Sequence, residues 1–516
     1  MFSTFGSKDN NLLISAKIWS DFSLTVPIIR SFSLGSNFPP EFPLFAGYPI
    51  KYHFGFFMVV GLLERIGIPL HFALNLLSAL GFSLLLVLIY YLTIAIFKKR
   101  LVGFISVSLF LFNGSFSFLE FFKSHPINPR ILYDIIQNNT FPSFGPYDGK
   151  IVSAFWNLNI YTNQRHLALA YTSFLLLILI IYKSSQKPKM LSTRNAVLFG
   201  IIIGFFPFIH LPTFGSMGLT LLLALFLFPK IWKKIVLIGA IAITIAVPQI
   251  IYMGAGEVGT NIYNPGYLVE RLTILGFTKY WFLNLGLTSI LAPLGFLLAN
   301  KKQRKIFIPF LVLFIIGNLF QFSVEIAANH KFFNLSLIGL NMFTAYFIYK
   351  IWILKKLGKI TSLLLILPLT LSGIIDLFPI INDRFLTLQD IPNNKAATFI
   401  YENTPKDAVF LNAMFLYDPA SLAGRRIYLG WPYFAWSAGY QTTQRHEMMK
   451  NILASSNKAT SCQKLGNENI DYLEIQNPTL LEDVSINYSF FEKNFIRIYF
   501  DESVNISIYD VGLSCK

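Results

Sequence analysis

The sequence predicts a mainly α-helical, polytopic membrane protein that carries a C-terminal extracytoplasmic α/β domain. Three observations carry this. The 516 residues are 54% hydrophobic and only 13% charged, with a mean hydropathy of +0.55. That is more apolar and less charged than an average soluble domain. Runs of about 18 to 20 apolar residues recur, the length that crosses a bilayer as a helix. Between these runs the Lys and Arg residues sit in short clusters, the mark of cytoplasmic loops. The net charge of +16 therefore does not point to nucleic acid.

Residues 1–69 read as an outer loop with interfacial helices, residues 70–379 as a transmembrane helical domain, and residues 380–516 as the extracytoplasmic domain. Residues 1–20 are too mixed to span, and they lack the basic start and apolar core of a signal peptide. Residues 53–68 are apolar but broken by Glu64 and Arg65, so a helix lying in the interface is expected, with those two as a surface pair. Spans are expected at 70–97, 101–119, 166–182, 195–212, 213–228, 235–253, 280–299, 306–323, 332–354 and 360–379, about ten in all. The fourth and fifth meet at an HLP turn around His210, read as a satisfied intramembrane polar group. The polar, Pro-rich stretch 120–165 is too long for an idle connection. It holds Asp134, Asp148 and Trp156.

Threading these spans puts the basic clusters that follow residues 97, 182, 228, 299 and 354 all on one face, as positive charge kept cytoplasmic requires. The long acidic and aromatic loops fall on the other face, with the N-terminal stretch and the C-terminal tail. An external start with no apolar run before it predicts a further span upstream of Met1.

Beyond residue 382 the pattern changes to short alternating runs, AVFLN, RRIYL, DYLEI and FIRIYF, separated by helix-like stretches at 394–402 and 443–455. These predict a small α/β domain. Its Cys462 and Cys515 are too few for a disulfide framework or a zinc cluster. Outside the cytoplasm a bond between them is allowed, and two free thiols are equally compatible with the sequence. Arg425, Arg426, Trp431 and Trp436 form one run suited to sugar recognition, or to a packed strand and turn.

The stretch with chemistry is 19–54, WSDFSLTVPIIRSFSLGSNFPPEFPLFAGYPIKYHF. Its polar backbone cannot lie bare in lipid. Pro27, Pro39, Pro40, Pro43 and Pro49 restrict it, so an ordered loop at a membrane face is expected. A carboxylate held there, Asp21, with His53 and Lys51 nearby in sequence, suits general-base work on a hydroxyl.

This stretch resembles the first outer loop of polytopic glycosyltransferases of the GT-C fold, and most nearly the family 39, protein mannosyltransferase-like group. NQRHLALAY at the third span, ANHKFF before the ninth, NTPKDAVFL and AGRRIYLGWPYFAWSAGY extend the resemblance over most of the chain. It implies transfer of a sugar from a polyprenyl-phosphate donor to an acceptor hydroxyl outside the cytoplasmic membrane. Asp21 matches the acidic first-loop residue taken as catalytic in that fold. Two departures stand: no span precedes the loop, and Phe22 follows Asp21 where the mannosyltransferases carry an Asp-Glu pair.

The leaving group of such a donor is a lipid phosphate, whose developing charge calls for cations at the membrane surface. Arg165 and Lys331 lie at outer span ends and are the expected phosphate ligands. Glu41, His53, Asp148, Glu325 and His330 are expected acidic, metal or acceptor contacts. A divalent cation is the one cofactor left open, since no tight ligand spacing defines a site. The expected partners are a lipid-linked sugar, membrane lipid and an acceptor glycan, lipid or protein, in a multi-pass protein of the cell membrane. No nucleotide-binding glycine loop is present. The rival readings are a lipid or glycan transporter, which would place charge at mid-bilayer in repeated broken helices, and a non-catalytic scaffold.

Overall fold

The structure, a computed structural model, describes residues 1–143, 150–254 and 262–516. Six of the described helices are long and apolar enough to cross a membrane: Leu70–Phe97, Leu167–Gln186, Phe206–Leu227, Pro229–Tyr252, Ile326–Trp352 and Lys355–Ile381. A seventh is counted if Ile274–Leu285 and Thr288–Leu298, bent by 87° at their junction, make one span.

The difference from the expected ten has local causes. The second expected span stops at Leu111, because the chain turns at Asn113 and Gly114 before a short helix restarts at Ser117. The fourth is the short helix Thr193–Gly204. The eighth becomes Lys301–Leu319, capped by Asn300 and Gln303, and its opening turns carry Lys301, Lys302, Arg304 and Lys305. The expected turn around His210 is present: the backbone leaves the helical region there (φ −167°, ψ 98°) inside Phe206–Leu227, as a proline two residues on, unable to donate to the helical ladder, favours.

The chain forms two compact units. The first comprises Met1, Ser78–Ile250 and Val258–Arg384. Its centre is the helix His330–Trp352, buried along most of its length and packed by Thr288–Leu298, Lys301–Leu319 and Arg100–Leu111. Close approach sets one residue choice there. A Cβ on Gly295 would lie 2.0 Å from the Phe343 carbonyl oxygen, so only glycine fits.

The second unit comprises Phe2–Leu77, Ile251–Glu257 and Phe385–Lys516. β1 (Phe5–Lys8) and β2 (Asn11–Ser15) form a hairpin through Asp9 and Asn10, both at positive φ as a tight primed turn requires. β2 pairs antiparallel with β3 (Phe385–Gln389), so the first strands of the chain share a sheet with one that lies about 370 residues on. A second sheet has the order β5-β4-β6-β8-β7. β4 (Val409–Leu411) runs parallel to β5 (Arg426–Ile427) and β6 (Tyr472–Gln476). β8 (Ile506–Asp510) runs antiparallel to β6 and to β7 (Ile496–Asp501). All four runs expected to be strands are strands. Cys462 and Cys515 are disulfide-bonded, with Cα atoms 5.5 Å apart.

The stretch 19–54 is not a loop throughout. Its first fifteen residues are a helix, α1 (Trp19–Ser33), largely buried, with Pro27 inside it. Phe22, Val26, Ile29 and Phe32 recur at helical spacing and are fully buried or nearly so, and that burial outweighs the hydrogen bond lost at Pro27. The remainder is irregular but ordered. The Asn37 side chain donates to the Glu41 carbonyl (2.9 Å) and accepts from the Glu41 N–H (2.8 Å).

The expected helix in 53–68 is α2 (Gly55–Arg65), which packs on α1. Glu64 and Arg65 are not a surface pair. Arg65 is exposed, whereas Glu64 faces Arg30 at 3.4 Å and accepts from the Ser33 hydroxyl at 2.6 Å. Arg30 in turn bonds Asp390 at 2.5 Å. A guanidinium taken out of water needs both carboxylates more than the surface does.

Candidate functional site

Two groups of chemically capable residues form, one in each unit. In the second unit Asp21 occupies the first turn of α1, where the helix dipole favours a negative charge. Two phenols stand within its electrostatic reach. Burial first, and the Asp21 charge second, hold Tyr52 and Tyr417 above the usual tyrosine range, so both stay protonated. The Tyr417 hydroxyl donates to the Trp19 carbonyl at 2.5 Å, and the two rings lie 4.5 Å apart. His53 is buried and its ring stacks on Tyr52 at 3.8 Å. The arrangement is a half-buried carboxylate flanked by neutral hydroxyl donors. It can accept a proton and hold a hydroxyl-bearing partner in place.

Glu41 belongs to this unit but to another place in it. Its carboxylate accepts from Arg426 at 2.5 Å and from the Gly47 N–H at 3.0 Å. It borders an open cleft of about 910 Å³ with Tyr48, Arg445, Glu468, Asp471 and Asp510. The Arg445 guanidinium is packed against the Phe45 ring at 3.8 Å and donates to the Ala46 and Tyr428 carbonyls.

In the first unit the expected phosphate ligands come together with three imidazoles. Arg165 and His166 precede the helix Leu167–Gln186, His210 stands at the kink of Phe206–Leu227, and His330 and Lys331 open the helix His330–Trp352. Arg165 is fully buried and donates to the Met1 sulfur at 3.0 Å. The His166 and His210 rings lie 5.2 Å apart, and His210 Nδ1 meets the Thr213 hydroxyl at 2.7 Å. His330 contacts Gln164 at 3.3 Å and Asn334 at 3.2 Å. Lys331 is half-buried, and its charge reaches all three rings. Three breaks in apolar segments thus deliver one basic, imidazole-rich cluster.

Of the remaining expected residues, Glu325 is half-buried just ahead of the short turn Ile326–Asn329, in the first unit. Asp148 lies outside the described residues. Glu41 and Glu325 fall in different units. Arg425 is a structural residue. It is 1% exposed and donates to the Thr404 hydroxyl and to the carbonyls of Leu34, Ile400, Tyr401, Thr404 and Ala423. Trp431 packs edge-on against Phe434 at 4.9 Å, while Trp436 and Tyr433 stay exposed.

Sequence reasoning missed Tyr52 and Tyr417 as neighbours of Asp21. Nothing in the chain links Tyr417 to Trp19, 398 residues away. It also passed over His166 and read His210 as a satisfied polar group, although a histidine at each break of an apolar run is a legible signal.

Comparison with known proteins bears on this as follows. The family described as uncharacterized membrane protein (DUF2298) matches residues 19–131, the part of the chain that begins with α1. That family, rather than the family 39 group, is the one whose model matches. A search of curated protein sequences found no match. Among solved structures the chain is similar to the oligosaccharyltransferase AglB from Archaeoglobus fulgidus in complex with an inhibitory peptide and a dolichol-phosphate, at 13% identity and a TM-score of 0.43. The similarity covers 95% of this chain and 70% of that one. The same organism's enzyme in complex with Zn and sulfate gives 12% identity, a TM-score of 0.43, and 96% and 69% coverage. Its apo form gives 12% identity, a TM-score of 0.44, and 96% and 70% coverage.

Proposed function

We propose that the protein is a membrane glycosyltransferase that moves a sugar from a polyprenyl-phosphate donor to an acceptor hydroxyl. The observation that carries this reading is the cluster of Arg165 and Lys331 among His166, His210 and His330, where long apolar helices begin or break. Ionisable groups gathered in apolar helices mark functional sites. An anionic lipid headgroup complements their charge, and it reaches the protein through the bilayer.

In this reading Arg165 and Lys331 hold the donor phosphate and stabilise the charge that develops as it leaves. Asp21 takes the proton of the acceptor hydroxyl. The freed oxygen bonds the anomeric carbon, the bond from that carbon to the phosphate oxygen breaks, and its electron pair stays on the phosphate. The configuration at that carbon inverts. Tyr52 orients Asp21 or its substrate as a neutral donor, while Tyr417, whose hydroxyl is given to Trp19, fixes the start of α1. A divalent cation is given no step, because Glu41 is already engaged by Arg426. The reading brings with it a cell-membrane location and an extracytoplasmic C-terminal domain.

The test is the full chain in lipid nanodiscs with radiolabelled polyprenyl-phosphate sugars. Asp21→Asn should lower transfer by about 10²- to 10⁴-fold at unchanged yield and melting temperature. Undiminished transfer by Asp21→Asn overturns the assignment.

A further inference from the structure

A second cavity of the second unit, about 470 Å³, is bordered by the Trp19 and Tyr417 ring pair and by Asn394, Lys395, Gln476 and Asp501. Its volume lies in the range of small-ligand sites, about 300 to 1,000 Å³. Its chemistry is specific. Two aromatic rings form one side, and side-chain amides that both donate and accept are set around them. The single cation and single anion, Lys395 and Asp501, balance, so the lining selects no net charge. Asp501 is 6% exposed, and its carboxylate is held by the Ser503 N–H (2.9 Å) and hydroxyl (2.6 Å).

Gln476 supplies an independent sign of a ligand. Its Nε2 donates to the Val504 carbonyl at 3.1 Å, but its Oε1 is shut off from solvent and has no hydrogen-bond partner among the described residues. A desolvated acceptor left without a donor costs about 1 to 3 kcal/mol, so a bound hydroxyl would be repaid there. The cavity also shares Trp19 and Tyr417 with the surroundings of Asp21, two residues along the same helical turn from Trp19.

We propose that this cavity is a saccharide subsite for the sugar acceptor, a neutral hydroxyl-rich ring stacked on Trp19 and Tyr417 and bonded by Gln476, Asn394 and Asp501. As an acceptor site it rests on the transferase reading; as a saccharide site it does not. The nearby cleft at Glu41 is a poorer match. Its carboxylates outnumber its two guanidinium groups, and both of those are already tied within the protein.

The test is direct binding, with no donor present. Methyl hexosides and methyl N-acetylhexosaminides are titrated into the full chain in nanodiscs and followed by saturation-transfer NMR and tryptophan fluorescence. An unmodified serine-containing heptapeptide is the rival probe. A saccharide should bind wild type, and bind at least tenfold more weakly to Gln476→Ala and Trp19→Phe. Lys395→Ala, at an exposed position, replaces Gln476→Ala if that variant does not fold. Saccharide binding that these substitutions leave unchanged, no saccharide binding at all, or binding of the peptide alone overturns the subsite. Saccharide binding without transfer from any polyprenyl-phosphate donor keeps the subsite and removes the transferase reading. Transfer with an unaltered acceptor KM in the variants keeps that reading and removes the subsite.

Discussion

The two units bury opposite kinds of charge. Among the described residues of the first, the deeply buried basic side chains are Arg165, His166, His210 and His330, and Asp376 is the one buried carboxylate. In the second, Asp390, Asp418, Glu474 and Asp501 are all buried, with Arg30 and Arg425. The difference lies in backbone donors. Long helices spend their N–H groups internally, so a carboxylate among them finds few partners. Asp376 has the side-chain amide of Asn157 at 3.1 Å. Cations and imidazoles fare better there, since side-chain amides, sulfur and freed carbonyls accept from them. Strand ends and short loops leave N–H groups unspent. Asp418 accepts from the N–H groups of Ala413 (3.0 Å), Met414 (3.2 Å) and Ala420 (3.0 Å).

The harshest way to break this comparison is Arg165→Glu, which reverses the charge at a fully buried position of the first unit. Folded, monodisperse protein in detergent should fall at least tenfold, read by size-exclusion chromatography, while Arg165→Lys should express. Normal yield of Arg165→Glu would end the donor argument. In the second unit Asp418→Asn strips three N–H groups of a charged acceptor and should lower unfolding free energy by about 3 kcal/mol, read by denaturant titration. Cys462→Ser opens the bond that closes a sequence separation of 53 and should destabilise this unit by about 2 to 4 kcal/mol. Reducing agent should reproduce that loss in wild type and leave the variant unchanged.

The smallest effect sharpens the comparison through pH. Glu474 and Asp418 form a buried carboxyl pair. Burial, and then the Asp418 charge, raise Glu474 well above its ordinary 4.5, so Glu474 keeps its proton and donates to Asp418. A carboxyl with a raised folded pKa contributes its full stability below the unfolded value and loses it as pH climbs towards the folded one. Wild-type melting temperature should therefore decline as pH rises above about 4.5, and Glu474→Gln, which keeps a donor, should flatten that decline. Its own cost should stay under about 1 kcal/mol. An unchanged slope would mean that the pair is not proton-linked.

Much of the architecture was legible in the residues. The span expected at 70–97 matches the helix Leu70–Phe97, and the runs AVFLN, RRIYL, DYLEI and FIRIYF all became strands, because hydrophobic period reports directly on what must be buried. Boundaries set by the surroundings were not legible. Five prolines in 19–54 argued for a loop, and core burial of Phe22, Ile29 and Phe32 made a helix of 19–33. Glu64 sits next to Arg65 in sequence but beside Arg30 in space. Of the candidate sites, Arg165 and Lys331 were readable as cations at the ends of apolar runs. The tyrosines beside Asp21 were not, since neither carries a local pattern.

Composition and periodicity alone determined that this chain makes long apolar helices and a small α/β unit, because the hydrophobic effect acts on every residue according to type and spacing. Tertiary structure alone decided which polar groups meet: Tyr417 with Trp19, Arg30 with Asp390 and Asn157 with Asp376. Such pairings depend on directional bonds of about 3 Å between residues far apart in the chain, and no local property of the sequence encodes that distance.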